Sequence, residues 1–258
     1  MLSNKPLFAL CIVVILMTSL ATCGPKISKK DLRLARVYLD TAKANLQNGN
    51  CQKAELEAKK SLAKEAKNAE ALRILALAYY CQHKIQSAIK EINAALEIDP
   101  KRGEFHNDLG GFYLFEKRYQ EAIREFQRAL DDSAYFEPAA ALYNMAEGYR
   151  RLGSKKLALL KYQESLLKDP NQDRPYYWIG VIALEDGDDK KAMNMFREAL
   201  KMNPYNFEAA KELCLYSCSR NEGKSILYYC DLFLKSIPQN YQDDHVTDRV
   251  RRCLAKYK

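Results

Sequence analysis

Residues 106–130 read HNDLGGFYLFEKRYQEAIREFQRAL. Two adjacent glycines sit among aromatics, and Ala122, Phe126 and Ala129 follow at intervals of four and three. That second spacing is one face of an α-helix. The glycines do not suit a helix chosen for propensity, because each costs about 1 kcal/mol relative to Ala. Gly110 and Gly111 therefore predict that something packs close to that backbone. The same pattern recurs on either side. Alanine stands at 54, 88, 122, 158 and 192, in steps of 34, 34, 36 and 34. Four residues beyond come Ala58, Ile92, Phe126, Tyr162 and Phe196, and three further on Ser61, Ala95, Ala129, Ser165 and Ala199. Twelve residues before each alanine is a small residue again: Ala42, Ala76, Gly110, Ala146 and Gly180. Three beyond those are Asn45, Tyr79, Tyr113, Tyr149 and Ala183. Proline marks a further column at 100, 170, 204 and 238, with Ala134 in the intervening unit. A proline ends a helix because it lacks an N–H and clashes with the preceding turn.

A period of 34 residues with small–aromatic alternation resembles the tetratricopeptide repeat, two antiparallel helices packed face to face. The expected fold is all-α: a right-handed solenoid of six tetratricopeptide repeats plus a C-terminal capping helix. The units are 35–68, 69–102, 103–138, 139–172, 173–206 and 207–240, with 241–258 as the cap. The terminal units match the columns least well, as terminal repeats do. Composition agrees, with only 10 Gly and 8 Pro in 258 residues and few β-branched runs beyond residue 20. The formal charge of +8 is spread among acidic residues, so no basic block marks a nucleic-acid face.

The N-terminus reads differently. Leu7–Leu20 (LFALCIVVILMTSL) is an apolar run of 14 residues after Lys5. It is shorter than the roughly 20 residues that span a bilayer and suits the core of a signal peptide, residues 1–22. Leu20-Ala21-Thr22-Cys23 resembles a bacterial lipobox, which implies lipidation of Cys23 and a lipidated tether over 23–34. Thr22 departs from the usual small residue there, so simple secretion or an uncleaved anchor stays open. Gly24, where the resembled sorting logic would need Asp for inner-membrane retention, points to the outer membrane, periplasmic face.

Six cysteines remain beyond Cys11 and Cys23. An even number in an exported chain permits disulfides. Cys51 begins the second helix of unit one and Cys81 ends the first helix of unit two, so stacking would place them on one edge. For the last four the preferred pairs are Cys214 with Cys230 and Cys218 with Cys253. A zinc site and buried free thiols are the alternatives. His83, His106 and His245 share no metal-like spacing, and no HExxH, GxSxG, P-loop or GxGxxG motif occurs. His106 lies two residues from Asp108, a spacing that points side chains apart on a helix. No catalytic residue, cofactor or metal is expected.

Function then falls to the groove lined by the first helix of each unit. The expected lining is Asn107, Gly111, Leu114 and Phe115 from unit three, Tyr143, Glu147, Arg150 and Arg151 from unit four, and Tyr177, Val181 and Glu185 from unit five. Such a mixed aromatic and charged surface suits a peptide or a partner helix or strand.

NDLGGFYLFEKRYQEA (107–122) and DDSAYFEPAAALYNMAEGY (131–149) resemble the type IV pilus pilotin family of tetratricopeptide-repeat outer-membrane lipoproteins. Gly111 and the segment Tyr135-Phe136-Glu137-Pro138 carry the resemblance beyond a generic repeat. It implies a monomeric, lipid-anchored scaffold that binds secretin subunits and promotes their assembly at the outer membrane. Another envelope lipoprotein adaptor, for example for peptidoglycan enzymes, would carry the same anchor and repeats. A regulatory subunit is a further reading, and the export signal disfavours a cytosolic co-chaperone.

Overall fold

The computed structural model describes residues 27–241 and 243–257. The expected signal peptide, Cys11, Cys23 and the start of the expected tether lie outside them. Among the described residues the chain is all-α, with thirteen helices and no strand. They fall into two compact units, one ending at Ile98 and one beginning at Asp99.

The first unit holds α1 (Lys29–Gln47), α2 (Cys51–Lys64), α3 (Ala69–Cys81) and α4 (Ile85–Ile98). α1 starts at Lys29, so residues 29–34 of the expected tether are the first turns of a helix. The reason is a local cap: the Ser28 hydroxyl accepts the Asp31 N–H at 3.0 Å, satisfying a donor the helix end leaves bare. α1 pairs with α2 and α3 with α4, and α3 also packs on α2.

The second unit holds α5 (Gly103–Phe115), α6 (Tyr119–Asp131), α7 (Pro138–Arg151), α8 (Lys155–Lys168), α9 (Asp173–Glu185), α10 (Asp189–Met202), α11 (Phe207–Ser219), α12 (Gly223–Ser236) and α13 (Asp244–Ala255). These are four hairpins, with α13 packed on α11 and α12. Helices α4, α8, α10 and α12 each stop two residues before the prolines at 100, 170, 204 and 238.

Every hairpin turn contains one residue in the left-handed region: Gly49, His83, Lys117, Gly153, Gly187 and Asn221, with φ from 56° to 77°. These positions step by 34, 34, 36, 34 and 34. The left-handed residue terminates the first helix and turns the chain into the second. Glycine adopts it freely, whereas His83 and Lys117 carry a Cβ that opposes it.

The columns are packing positions. Ala54, Ala88, Ala122, Ala158 and Ala192 are fully buried. A Cβ on Gly110 would lie 2.6 Å from the Phe126 ring, and one on Gly180 would lie 2.6 Å from the Phe196 ring. Glycine is present because the facing ring already fills the space a methyl would need. In unit four the pair is Ala146 and Tyr162, both fully buried in one cluster. The last hairpin carries the same position as Cys214 and Cys230, joined as a disulfide with Cα atoms 4.8 Å apart. Gly111 differs from its neighbour. A Cβ there meets nothing within 4 Å, so the expectation that both glycines admit a close neighbour is corrected for Gly111, which faces away from α6.

The two buried serines of the columns find partners across the hairpin. Ser61 Oγ donates to the Ala35 carbonyl and Ser165 Oγ to the Ala139 carbonyl, each at 2.8 Å. A buried hydroxyl without such a partner would be costly. The two-residue insertion after α6 folds back in the same way. Tyr135 is buried against Ala129 and Ala141, and the Asp132 carboxylate accepts the Gly103 N–H at 2.8 Å. Phe136 is left 72% exposed.

His106 on α5 and Glu125 on α6 form a buried polar tie that residue spacing did not suggest. Nδ1–H donates to Glu125 Oε2 at 2.8 Å and Nε2–H to the Pro100 carbonyl at 3.0 Å. Both ring nitrogens face acceptors, so only the imidazolium satisfies both. Burial alone would push the imidazole down, but the bonds to Glu125 and Pro100 outweigh it and the pKa is raised. Burial would push Glu125 up, but the bond from His106 and the charge of Arg128 hold it down. The His106 contribution is full below its ordinary 6.5 and is lost as pH rises through the raised value. The Glu125 contribution is full above its ordinary 4.5 and is lost as pH falls through the lowered value. The stability gap between the natural chain and His106→Gln should therefore be widest between those two values. A gap of about 1.5–3 kcal/mol is expected for a charged hydrogen bond, closing toward alkaline pH in urea titrations. A gap that widens toward alkaline pH would contradict the assignment.

Candidate partner-binding cleft

The second unit opens a cleft of about 470 Å³. It is built on the first helices of three successive hairpins, α7, α9 and α11, and on the connection from α10 to α11. Tyr143, Glu147 and Arg151 come from α7, where spacings of four place them along one face. Asp173, Arg174, Tyr177 and Trp178 come from α9, and Phe207 and Glu208 from α11. Asn203, Tyr205 and Asn206 of the connecting turn close one end.

The floor is held by a polar and aromatic network. The Glu147 carboxylate accepts two bonds from Arg150, at 3.0 and 2.8 Å, and one from the Tyr162 hydroxyl. The Arg150 guanidinium lies 3.8 Å from the Trp178 ring centroid, a cation–π stack that fixes the indole. Tyr143 packs on Tyr162 with centroids 5.8 Å apart. Tyr177 packs on Trp178 at 5.0 Å and on Phe196 at 5.8 Å. Asn203 and Asn206 both donate to Asp173 Oδ2, at 2.9 and 2.8 Å, while Asn206 caps α11 by accepting the Ala209 N–H at 2.9 Å. Burial raises the phenol pKa of Tyr143, Tyr162 and Tyr177, with nearby carboxylates adding to it. The three phenols thus stay neutral donors at physiological pH. The lining contains no cysteine, serine or histidine, hence no nucleophile–base pair of the kind acyl transfer uses. Its open aromatic faces and fixed charges of both signs suit an extended or helical peptide.

The expected groove residues separate into three groups. Tyr143, Glu147, Arg151 and Tyr177 meet in the cleft. Arg150 supports its wall from behind. The rest lie elsewhere. Val181 packs against the core of the last hairpins, and Glu185 at the end of α9 pairs with Lys155 at 3.0 Å. From unit three, Asn107 accepts a bond from Asn144 at 3.4 Å and Leu114 packs beside Phe126 and Met145. Phe115 is half exposed, and Gly111 is open. Trp178, Arg174 and the residues of turn 203–206 were not anticipated. Trp178 follows Tyr177 and is the chain's single tryptophan, a signal that could have drawn attention to it.

The remaining cysteines also pair. Cys51 bonds Cys81 with Cα atoms 5.9 Å apart, and Cys218 bonds Cys253 at 6.1 Å. The first bond ties α2 to α3 and the second ties α11 to α13. Beside the first, Gln82 donates to Glu55 Oε2 at 2.8 Å. The Lys59 ammonium foremost, with Gln82 and Lys84, holds the Glu55 carboxyl down at about 2.

Comparison with known proteins agrees with this architecture. One tetratricopeptide repeat model matches residues 39–103 and 82–135, and a second matches 173–206. Type IV pilus assembly protein PilF of Pseudomonas aeruginosa is 30% identical over 137 residues, 52% of this chain. That match spans about half of the relative, 54% of its length. A solved structure of P. aeruginosa PilF superposes with a TM-score of 0.75 at 18% identity, over 87% of this chain and 99% of that one. PilW, described as a widely conserved type IV pilus biogenesis factor, superposes with a TM-score of 0.72 at 18% identity, over 84% and 98%. At 18% identity these superpositions speak to fold. With the matched segments, the turn column and the packed crossing pairs together, the chain is a tetratricopeptide repeat protein.

Proposed function

We propose that this protein is a non-catalytic scaffold of type IV pilus biogenesis that captures secretin subunits. An acyl anchor on Cys23 holds it at the periplasmic face of the outer membrane, and the cleft around Tyr143, Tyr177 and Trp178 takes a secretin segment. Tethering confines captured subunits to the membrane and raises their effective concentration for ring assembly. The sequence relationship to PilF carries the pilus assignment, and the open aromatic cleft supports peptide capture.

The test is recovery of partners from detergent-solubilised envelope with a C-terminal tag. Secretin should dominate the recovered protein. Trp178→Ala with Arg174→Glu should reduce its recovery at least tenfold, since two central contacts of this kind contribute about 2 kcal/mol or more. Cys23→Ala should still bind secretin but leave the outer-membrane fraction. Recovery of peptidoglycan enzymes without secretin would end the pilus reading.

A further inference from the structure

The outer surface of α8 breaks the pattern of its neighbours. Leu157, Leu160 and Leu167 stand 44%, 46% and 84% exposed on one side of that helix. The same repeat positions are Glu121, Arg124 and Asp131 on α6, and Lys191, Asn194 and Lys201 on α10. On α12 they are Ser225, Tyr228 and Lys235. Single exposed leucines need no explanation, but three in register where α6 and α10 are polar at all three positions form a patch. Lysines flank it. Lys155 is engaged by Glu185 and Asp186, and Lys161 by Glu164. Lys156 and Lys168 lie at the two ends of the stripe, exposed, with no acidic partner among the described residues.

We infer that this face of α8 seats on an anionic phospholipid surface, the leucines entering the headgroup–acyl boundary and Lys156 and Lys168 meeting lipid phosphates. Apolar residues bordered by lysines are what interfacial helices present to such a surface. The charge pattern disfavours a second copy of the chain. Antiparallel, two α8 faces would set Lys156 against the other copy's Lys168; parallel, each lysine would meet its own kind. An anionic surface complements both lysines at once. The inference does not depend on what the cleft binds.

The test uses the full chain with its single tryptophan moved: Trp178→Phe with Leu160→Trp, and as a control Trp178→Phe with Asn194→Trp on α10. Vesicles carry brominated acyl chains on phosphatidylglycerol or, separately, on phosphatidylcholine. The apolar run Leu7–Leu20 can hold every variant near a bilayer, so position-specific quenching is read instead of bulk binding. Quenching at 160 in phosphatidylglycerol, absent at 194, is expected. Adding Lys156→Gln and Lys168→Gln should lower the seated-to-lifted ratio read from quenching at 160 in phosphatidylglycerol roughly thirtyfold. Absent quenching at 160, or equal quenching at 160 and 194, overturns the proposal. So does quenching at 160 that phosphatidylcholine matches. A blue shift at 160 without vesicles, accompanied by a doubled sedimentation mass, overturns it in favour of self-association.

Discussion

Phe196→Ala should lower the stability of the hairpin α9–α10 by about 3–5 kcal/mol. The ring is fully buried and packs against Gly180 and Tyr177 of α9, and the glycine has no side chain to move into the void. Urea unfolding followed through Trp178 fluorescence reads this directly, because the chain's single tryptophan sits on the same helix as Gly180. The reciprocal change tests the same contact from the other side. Gly180→Ala should gain about 1 kcal/mol of helix propensity but lose about 1–3 kcal/mol by overpacking, because its Cβ would meet the ring at 2.6 Å. The net is destabilising. Gly180→Ala combined with Phe196→Ile should recover most of that loss, since unit two already carries Ala76 and Ile92 at these positions, both buried. If the double change were additive, with no rescue, the crossing contact would not be what selects glycine.

The disulfide Cys214–Cys230 is the second large effect. It occupies the crossing position that Gly180 and Phe196 hold one unit earlier, so a covalent bond takes the place of a small–aromatic contact. Closing a loop of 16 residues limits the unfolded chain by about 3 kcal/mol. Cys214→Ala with Cys230→Ala should therefore speed amide exchange on α11 and α12 by roughly a hundredfold relative to the oxidised chain. Exchange on α5 and α6 should be unchanged, because each hairpin depends mainly on its neighbours. Unaltered exchange on α11 and α12 would falsify a stabilising role for this bond. Cys214→Gly with Cys230→Phe, which transplants the pair of unit five, should restore part of the protection without any disulfide.

The recognition of twelve of the thirteen described helices as six hairpins followed from features written along the chain. A 34-residue period, prolines two residues beyond helix ends and buried alanines at fixed offsets are all local or periodic, and residues three and four apart on a helix always share a face. The sequence alone thus determined the helical class, the register of the units and the packing role of Gly110, Phe126 and Ala129. It did not separate Gly110 from Gly111, because only the direction of the facing ring does so. It did not join His106 to Glu125, 19 residues away, since their meeting depends on how α5 lies against α6. The cleft was half legible. Tyr143, Glu147, Arg151 and Tyr177 follow from the rule that first helices line the groove. Trp178, Arg174 and the turn 203–206 enter because the N-terminal ends of α9 and α11 converge, and Val181 leaves because the same packing turns it against the core of the last hairpins. Convergence of segments distant along the chain is set by the summed rotation from hairpin to hairpin, which no single period encodes, so the tertiary structure alone decided which side chains share the cleft.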